Sequence, residues 1–271
     1  MTLSSRNRFF MAGIILSAAA LAAIAVSAFR ILPLYPDLLK ASRLTSWLGR
    51  IIPPAPYVSF AAMSALVVYA LITQVLIYYF FEKTQSPEIL FFALFACSCA
   101  FEGTRIALPL RIAYSLPGGY AAAAARALLF ARYAGIFSLF AGSLYSAGLE
   151  MQKQGRVVLI TMTAALVLAL GIPVDGLSWD SSLTMIYGYM GMFTLVEWGL
   201  ILITAAGFLV SAYSRGSREY LYISGGSLLV CAGKYLLLRA DTWITPLPAF
   251  ALLALGTWFI CAWIRRIYLW L

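Results

Sequence analysis

Residues 92–111 read FALFACSCAFEGTRIALPLR, and they have the length and apolar content of a helix that crosses a membrane. This segment nevertheless carries Glu102 and Arg105 inside its apolar run. Ionisable side chains inside a bilayer are costly, and they usually belong to a functional site or to a buried ion pair. Because the two residues are three positions apart, they share one helix face and can pair with each other. The segment therefore indicates a membrane-spanning fold and a polar site within it.

The composition of the whole chain agrees with this interpretation. Of its 271 residues, 63% are hydrophobic and 11% are charged, whereas soluble domains average about half apolar and a quarter charged. The apolar residues fall in repeated blocks of roughly 20, and each block is long enough to cross the hydrocarbon core. We predict an all-α, polytopic membrane protein that forms a single integral membrane domain over residues 1–271.

The predicted number of transmembrane helices is about eight. They cover residues 9–28, 57–81, 86–111, 121–149, 157–174, 184–213, 220–238 and 245–271. The first follows Arg6 and Arg8 as a signal peptide would, but its apolar run is long and more spans follow, so we expect an uncleaved helix. The third begins at Ser86-Pro87-Glu88, and we expect Pro109 to end or kink it.

Residues 30–56 form the longest connection between predicted spans, and they contain five prolines. Apolar residues recur there at about helical spacing, with Lys40, Arg43 and Arg50 between them. Two interpretations fit this pattern equally well. One is a short helix lying in the membrane interface, and the other is an ordered loop packed on the bundle.

The basic residues predict topology rather than nucleic-acid binding. The net charge is +9, but most lysines and arginines flank apolar spans, where they contact lipid headgroups. Their distribution near the span ends favours both termini in the cytoplasm, and the link with Asp175 and Asp180 has no basic residue. We therefore expect a multi-pass protein of the cell (inner) membrane that contacts membrane lipids and binds no nucleic acid.

The residue types that carry most catalysis and metal binding are scarce. There is no histidine, which removes the commonest metal ligand and general base. The four cysteines all fall within predicted spans, where they favour apolar packing over a disulfide or a zinc site. No nucleophile, phosphate-loop or metal motif is present, so we assign no catalytic residue, metal or cofactor.

An internal repeat is indicated by two similar motifs. Ser86-x-Glu88 opens the third predicted span, and Ser217-x-Glu219 opens the seventh, 131 residues later. In each half, two spans precede the motif and one span follows. This spacing predicts a 4+4 parallel repeat with halves at residues 1–150 and 151–271. Residue identity between the halves is low, so coincidental spacing in Leu/Ala-rich helices remains the alternative.

At a rise of 1.5 Å per residue, ionisable side chains of four predicted helices reach nearly the same height, slightly outside the midplane. This polar layer consists of Glu102, Arg105, Arg132, Glu197 and Lys234. Tyr133, Tyr187, Trp198 and Tyr235 lie at similar heights, and Arg111 and Arg239 lie above them on the outer side. One interpretation is a structural ion-pair network, with Glu102 on Arg105 and Glu197 on Lys234 or Arg132. The other is a pocket open to the outer leaflet, with surplus positive charge for an anionic or headgroup-like ligand.

This organisation broadly resembles the multi-span input modules of bacterial membrane sensors. We predict a ligand-binding, sensor-like or accessory module that uses the polar layer to bind a small anionic or lipid-like ligand. Because the chain ends soon after Arg266, we expect a sensor's output to lie in a cytoplasmic or membrane signalling partner. The alternatives are a small transporter for an anionic or amphipathic solute and an enzyme acting on lipid headgroups.

Overall fold

The structure, a computed structural model, describes residues 3–34, 37, 55, 57–148 and 154–269. These residues form helices α1 (Leu3–Ile31), α2 (Val58–Phe81), α3 (Pro87–Ala100), α4 (Ala107–Tyr114), α5 (Gly118–Ser146), α6 (Gln154–Gly171), α7 (Met190–Arg215), α8 (Glu219–Leu238) and α9 (Pro246–Leu269). A 3-10 segment, Phe101–Ile106, joins α3 to α4, and strands β1 (Val174–Trp179) and β2 (Met185–Tyr187) form a hairpin between α6 and α7.

Among the described residues, eight helices are long and apolar enough to cross a membrane, if Pro87–Tyr114 is counted as one. The prediction of an all-α chain with eight such helices is therefore confirmed, apart from the small hairpin. The 4+4 repeat stays a prediction. The suggested interface helix at residues 30–56 and the link around Glu150 lie largely outside the described residues.

The helices alternate in direction, so the chain connections collect at two ends of the bundle. At one end, Arg6 of α1 donates to the carbonyl oxygens of Phe81 at 2.8 Å and Glu82 at 2.7 Å, and it also bonds Thr84. The guanidinium thus neutralises the carbonyl end of α2. At the other end, which we call the hairpin end, Ser59 of α2 donates to the carbonyl of Ser181 between the two strands.

The third span is interrupted earlier than the sequence suggested. Pro109 lacks an N–H, and its ring crowds the carbonyl of Arg105 in a regular helix. The backbone winds into the 3-10 form over Phe101–Ile106 and then continues as α4 to Tyr114. In a 3-10 turn, residues three apart are eclipsed. The break therefore aligns Glu102 with Arg105.

The sixth span begins later than predicted, at Met190 instead of residue 184. Residues 174–187 form an antiparallel hairpin, in which Val174 pairs with Tyr187 and Trp179 with Met185. The connection between the strands carries Asp180 and two serines, which favour turns because their side chains bond the local backbone. Asp180 and Thr184 are buried, so this link folds into the bundle.

Helices α8 and α9 pack closely through glycines. A Cβ on Gly226 would lie 3.0 Å from the carbonyl oxygen of Gly256, and one on Gly233 would lie 2.7 Å from that of Ala249. Ser224 donates instead to the carbonyl of Ala205 on α7, at 2.9 Å. The absence of a side chain at Gly226 and Gly233 therefore permits the close backbone contact of α8 with α9.

The two Ser-x-Glu motifs form the same local hydrogen bond but have different surroundings. Ser86 donates to Glu88 at 2.9 Å, and Ser217 donates to Glu219 at 2.6 Å. Glu88 is buried, whereas Glu219 is partly exposed. The motifs are therefore alike at the helix start but not in how deeply they are packed.

Glycine substitutions on the two faces of α8 should have opposite effects on stability. We expect Gly233→Ala to lower the free energy of unfolding by about 1–3 kcal/mol, because the new methyl group overpacks the contact with α9. A Cβ on Gly225 would meet no heavy atom within 4 Å, so Gly225→Ala should be neutral or stabilise by up to about 1 kcal/mol. Thermal unfolding of the two purified variants in one detergent measures the difference, and equal unfolding temperatures would refute it.

Candidate functional site

The Glu102 carboxylate is the centre of a buried ion cluster. Its side chain is 0% exposed, and the Arg105 guanidinium lies 2.6 Å from its Oε2 atom. Arg132 of α5 donates two hydrogen bonds to the same carboxylate, from Nε at 2.9 Å and from Nη2 at 3.0 Å. Bidentate pairs of this kind fix both partners. One carboxylate is thus shared by two guanidinium groups, which leaves a surplus positive charge.

The connection between the strands adds a contact to each of the two arginines. Arg105 Nη1 donates to the carbonyl of Ser182 at 3.3 Å, and Arg132 Nη2 lies 3.4 Å from the Thr184 hydroxyl. Asp180 holds this turn in shape, since its carboxylate accepts from the Ser182 hydroxyl at 2.7 Å and from the Thr184 amide at 2.9 Å. Burial raises the pKa of the Asp180 carboxyl, and these hydrogen bonds oppose the rise. The turn is therefore fastened directly onto the ion cluster.

A second set of bonds ties the turn to the start of α2 and the end of α8. Ser181 donates to Asp241 at 2.5 Å, and Ser59 donates to the Ser181 carbonyl at 2.6 Å. The carbonyl of Asp241 in turn accepts from the Ala55 amide at 3.0 Å. Sequence reasoning missed these residues as part of the site. The signal available was the Asp-Ser-Ser run at 180–182, which is typical of side-chain-stabilised turns.

A cavity of about 680 Å³ lies below the hairpin, between α5, α7 and α8. Its apolar lining residues include Phe95, Ile136 and Cys231. The polar groups that could bind a ligand come from three helices and the hairpin; they are Arg132, Asp180, Ser182, Thr184, Tyr187, Thr194, Glu197, Lys234, Tyr235 and Arg239. The cavity therefore combines apolar walls with several charged groups, as ligand sites usually do.

The structure separates the predicted polar layer into two groups. Arg132, Glu197 and Lys234 line the cavity, whereas Glu102 and Arg105 are buried behind its wall and are absent from the lining. Arg132 belongs to both groups, because one side of it faces the cavity and the other binds Glu102. The ligand-binding role of all five residues stays a prediction.

The predicted aromatic and rim residues also divide. Tyr187, Tyr235 and Arg239 line the cavity, and the Arg239 guanidinium stacks 4.4 Å from the centre of the Tyr235 ring. The other three lie outside the lining: Tyr133 packs against Phe137 and Phe193, Trp198 meets Tyr235 edge to face at 5.1 Å, and Arg111 lies beside Gly118.

Lys234 is a buried charge in the cavity wall that has no carboxylate within 4.0 Å among the described residues. Lys234 is 6% exposed. Its ammonium donates to the Ser98 hydroxyl at 3.4 Å and lies 5.0 Å from the centre of the Phe95 ring. Among the described residues, Glu197 forms no ion pair with Lys234 or Arg132 within 4.0 Å, so those expected pairings do not form. An ammonium group has three donors. Most of the hydrogen-bonding capacity of Lys234 thus remains available inside the cavity.

The described part of the chain contains no group of three or more Cys, Asp or Glu residues arranged to hold a metal ion. The four cysteines are free thiols. The charged side chains that line the cavity can recognise a ligand by electrostatic attraction and hydrogen bonding.

Removal of the central carboxylate should destabilise the fold strongly. We expect Glu102→Gln to lower the free energy of unfolding by about 3–5 kcal/mol, because it leaves the charges of Arg105 and Arg132 buried without a counter-charge. The same change at exposed Glu82 should have almost no effect. Thermal unfolding of both variants in detergent measures this, and a wild-type melting temperature for Glu102→Gln would show that the cluster is not structural.

Comparison with known proteins places the chain in no family. No protein-family profile matches the sequence. A segment of 89 residues, 33% of the chain, is 30% identical to an uncharacterized protein of Treponema pallidum (strain Nichols). The match covers 26% of that protein, so the chain corresponds to about a quarter of its relative's length.

Proposed function

We propose that the chain is a multi-pass protein of the cell (inner) membrane, with both termini in the cytoplasm and the hairpin end facing outward. Within it, the cavity binds a small anionic or lipid-like ligand, and the protein acts as a sensor-like or accessory module. The observation that carries this proposal is the buried ammonium of Lys234, which faces the cavity without a carboxylate partner among the described residues. A buried charge of this kind needs compensation, and an anionic ligand supplies it.

The charges around the cavity agree with an anionic ligand. The lining contains Arg132, Lys234 and Arg239 against Asp180 and Glu197. Behind the wall, Glu102 is neutralised by Arg105 and Arg132 together. When these seven groups are all ionised, the basic ones exceed the acidic ones by one. A monoanion bound near Lys234 would therefore balance the site.

The position of the cavity mouth favours a ligand with an apolar part. Gly191 and Leu195 of α7 line the cavity and are also exposed on the side of the bundle, Leu195 by 75%. Neighbouring α7 residues on that side, such as Met192 and Leu202, are apolar and exposed as well. In a membrane this mouth opens toward lipid. An amphipathic acid can place its headgroup at Lys234 and extend its tail past Leu195.

A sensor-like role also requires a route from the ligand to a partner. Helix α8 carries Lys234 near one end, and at its other end Tyr220 accepts a hydrogen bond from Arg215 at 3.1 Å. In the proposed topology that end faces the cytoplasm. A cytoplasmic or membrane signalling partner that contacts this region would be sensitive to the position of α8.

Binding of an amphipathic acid should depend on Lys234. We expect laurate to raise the unfolding temperature of the purified protein in a nonionic detergent, while uncharged 1-dodecanol does not. Lys234→Met should weaken laurate binding about 30-fold or more, because it removes one partner of a buried charge pair. Lys83→Met is the matched control, since Lys83 is exposed at the opposite end, and it should leave binding unchanged.

Mass spectrometry of solvent extracts gives a second measurement of the same proposal. An acidic amphiphile should copurify with the wild type and with Lys83→Met, but not with Lys234→Met. If laurate and dodecanol act alike, and no acid is lost with Lys234, the proposal of an anionic ligand is refuted.

Transport remains the second candidate function, because a second, small void lies along the same helices. This void of about 10 Å³ is lined from α3, α5, α7 and α8, as the large cavity is, and α9 completes it. It reaches buried Glu88 near the opposite end, where Tyr268 donates to the carboxylate at 2.8 Å. Phe92, Leu139 and Phe208 form the apolar packing between the two polar regions. In alternating access, a binding site inside the bundle is exposed first to one side and then to the other, so this apolar layer is the packing that would have to open toward Glu88.

Transport makes its own prediction about Glu88. If the acid that copurifies with the protein is carried across, liposomes containing the wild type should take it up faster than empty liposomes. Glu88→Gln should reduce this uptake at least tenfold while laurate binding at the cavity persists. Glu219→Gln, in the equivalent but partly exposed Ser-x-Glu motif, should not reduce it. Uptake no faster than in empty liposomes would exclude transport of that acid and leave the binding role.

A further inference from the structure

A separate apolar groove runs along the outside of the bundle between α2 and α9. Its volume is about 460 Å³. Large side chains, including Leu76, Phe80 and Trp258, form its sides. The exposed residues Ala254 and Ala262 also line the groove, and their small side chains leave its space unfilled. None of its lining residues lines the large cavity. The groove is therefore a distinct recess on the surface that faces lipid in the proposed topology.

The length of the groove suits an extended hydrocarbon chain. From Phe250 to Arg265 along α9 is roughly 22 Å, and from Tyr69 to Phe81 along α2 is roughly 18 Å. An acyl chain lying along the groove would contact apolar side chains of both helices and would have Arg265 at one end.

The groove has a mostly apolar wall, which suits an acyl chain, and a basic side chain at one end, which suits a phosphate. Near the middle of the groove, the hydroxyl groups of Tyr69 and Thr257 form a hydrogen bond of 2.8 Å with each other. These hydroxyl groups therefore do not need a polar partner from the occupant of the groove. At one end, the exposed guanidinium of Arg265 stacks over the Phe80 ring, 5.3 Å from its centre. No carboxylate of the described residues lies within 4.0 Å of Arg265. A planar guanidinium in this position is suited to bind a phosphate.

We propose that the groove between α2 and α9 binds one acyl chain of an anionic phospholipid, whose phosphate binds Arg265. This inference rests on the membrane placement under the proposed function, but not on the ligand of the cavity. In that topology Arg265 lies at the cytoplasmic surface, where anionic lipids are enriched in many membranes. The lipid would fill the seam between helices from the two predicted halves of the chain.

The headgroup part of the proposal is tested by native mass spectrometry. The protein is delipidated in detergent and then supplied with dioleoyl phosphatidylglycerol or dioleoyl phosphatidylcholine. We expect the wild type to retain phosphatidylglycerol preferentially, and Arg265→Gln to reduce this preference about fivefold. Arg266→Gln is the matched control, because the adjacent Arg266 stacks on Trp263 and does not line the groove. An unchanged preference in Arg265→Gln would overturn the assignment of the phosphate.

The acyl-chain part is tested by filling the groove. Ala262→Phe should abolish retention of the bound lipid, whereas Ala206→Phe, at an exposed position of α7 outside the groove, should not. If Ala262→Phe does not fold, Ala254→Phe makes the same test about two turns away. Retention that survives filling would overturn the proposal. So would a wild-type dimer that dissociates in the filled variant, because the occupant would then be a second copy.

The proposal for the groove and the proposal for the cavity can be refuted independently. Lys234→Met should leave phosphatidylglycerol retention unchanged, and Ala262→Phe should leave the laurate response unchanged. If lipid retention responds to Lys234→Met instead of to the groove variants, the bound lipid belongs to the cavity and the groove assignment is wrong.

Discussion

The shared carboxylate of Glu102 is the interaction on which the rest of the structure depends. It binds Arg105 one 3-10 turn away and Arg132 on α5, and both arginines then bond the turn that contains Ser182 and Thr184. Each guanidinium is held from two sides, so neither can rotate without leaving a buried charge uncompensated. The hairpin that covers the cavity is in this way attached to the middle of the bundle by electrostatics rather than by apolar packing alone.

Much of the fold followed from sequence because helix length and membrane thickness are tightly linked. Heights could also be assigned to the polar residues from the sequence, since rise per residue is nearly constant, and these heights stay a prediction. The hairpin was not predicted from the sequence, because the composition of residues 184–189 continues without a break into α7. Strand pairing with residues 174–179 depends on contacts that the local sequence pattern does not contain. The sequence predicted that Pro109 ends or kinks the third span, whereas the 3-10 segment lies just before it, over Phe101–Ile106, and the chain is α-helical again through Pro109.

The rotation of each helix about its axis was the other missing quantity. Depth arithmetic placed Glu197 level with Lys234 and Arg132, but it could not show whether they approach each other, and their pairing is not observed among the described residues. The rotation of the helices about their axes also places Glu102 and Arg105 behind the cavity wall and Lys234 in the cavity lining. A ligand site and a structural ion cluster therefore coexist at one height, with Arg132 as the member common to both.

The glycine contacts between α8 and α9 have a mechanical consequence. With backbone against backbone at Gly226 and Gly233, the two helices lie closer together than helices that are separated by long side chains. We therefore describe them as one arm. Lys234 lies on one face of this arm, Arg265 lies at its far end, and Asp241 joins its two helices to the hairpin end. A change at the ammonium of Lys234 and a change at Arg265 would therefore act on the same pair of closely packed helices.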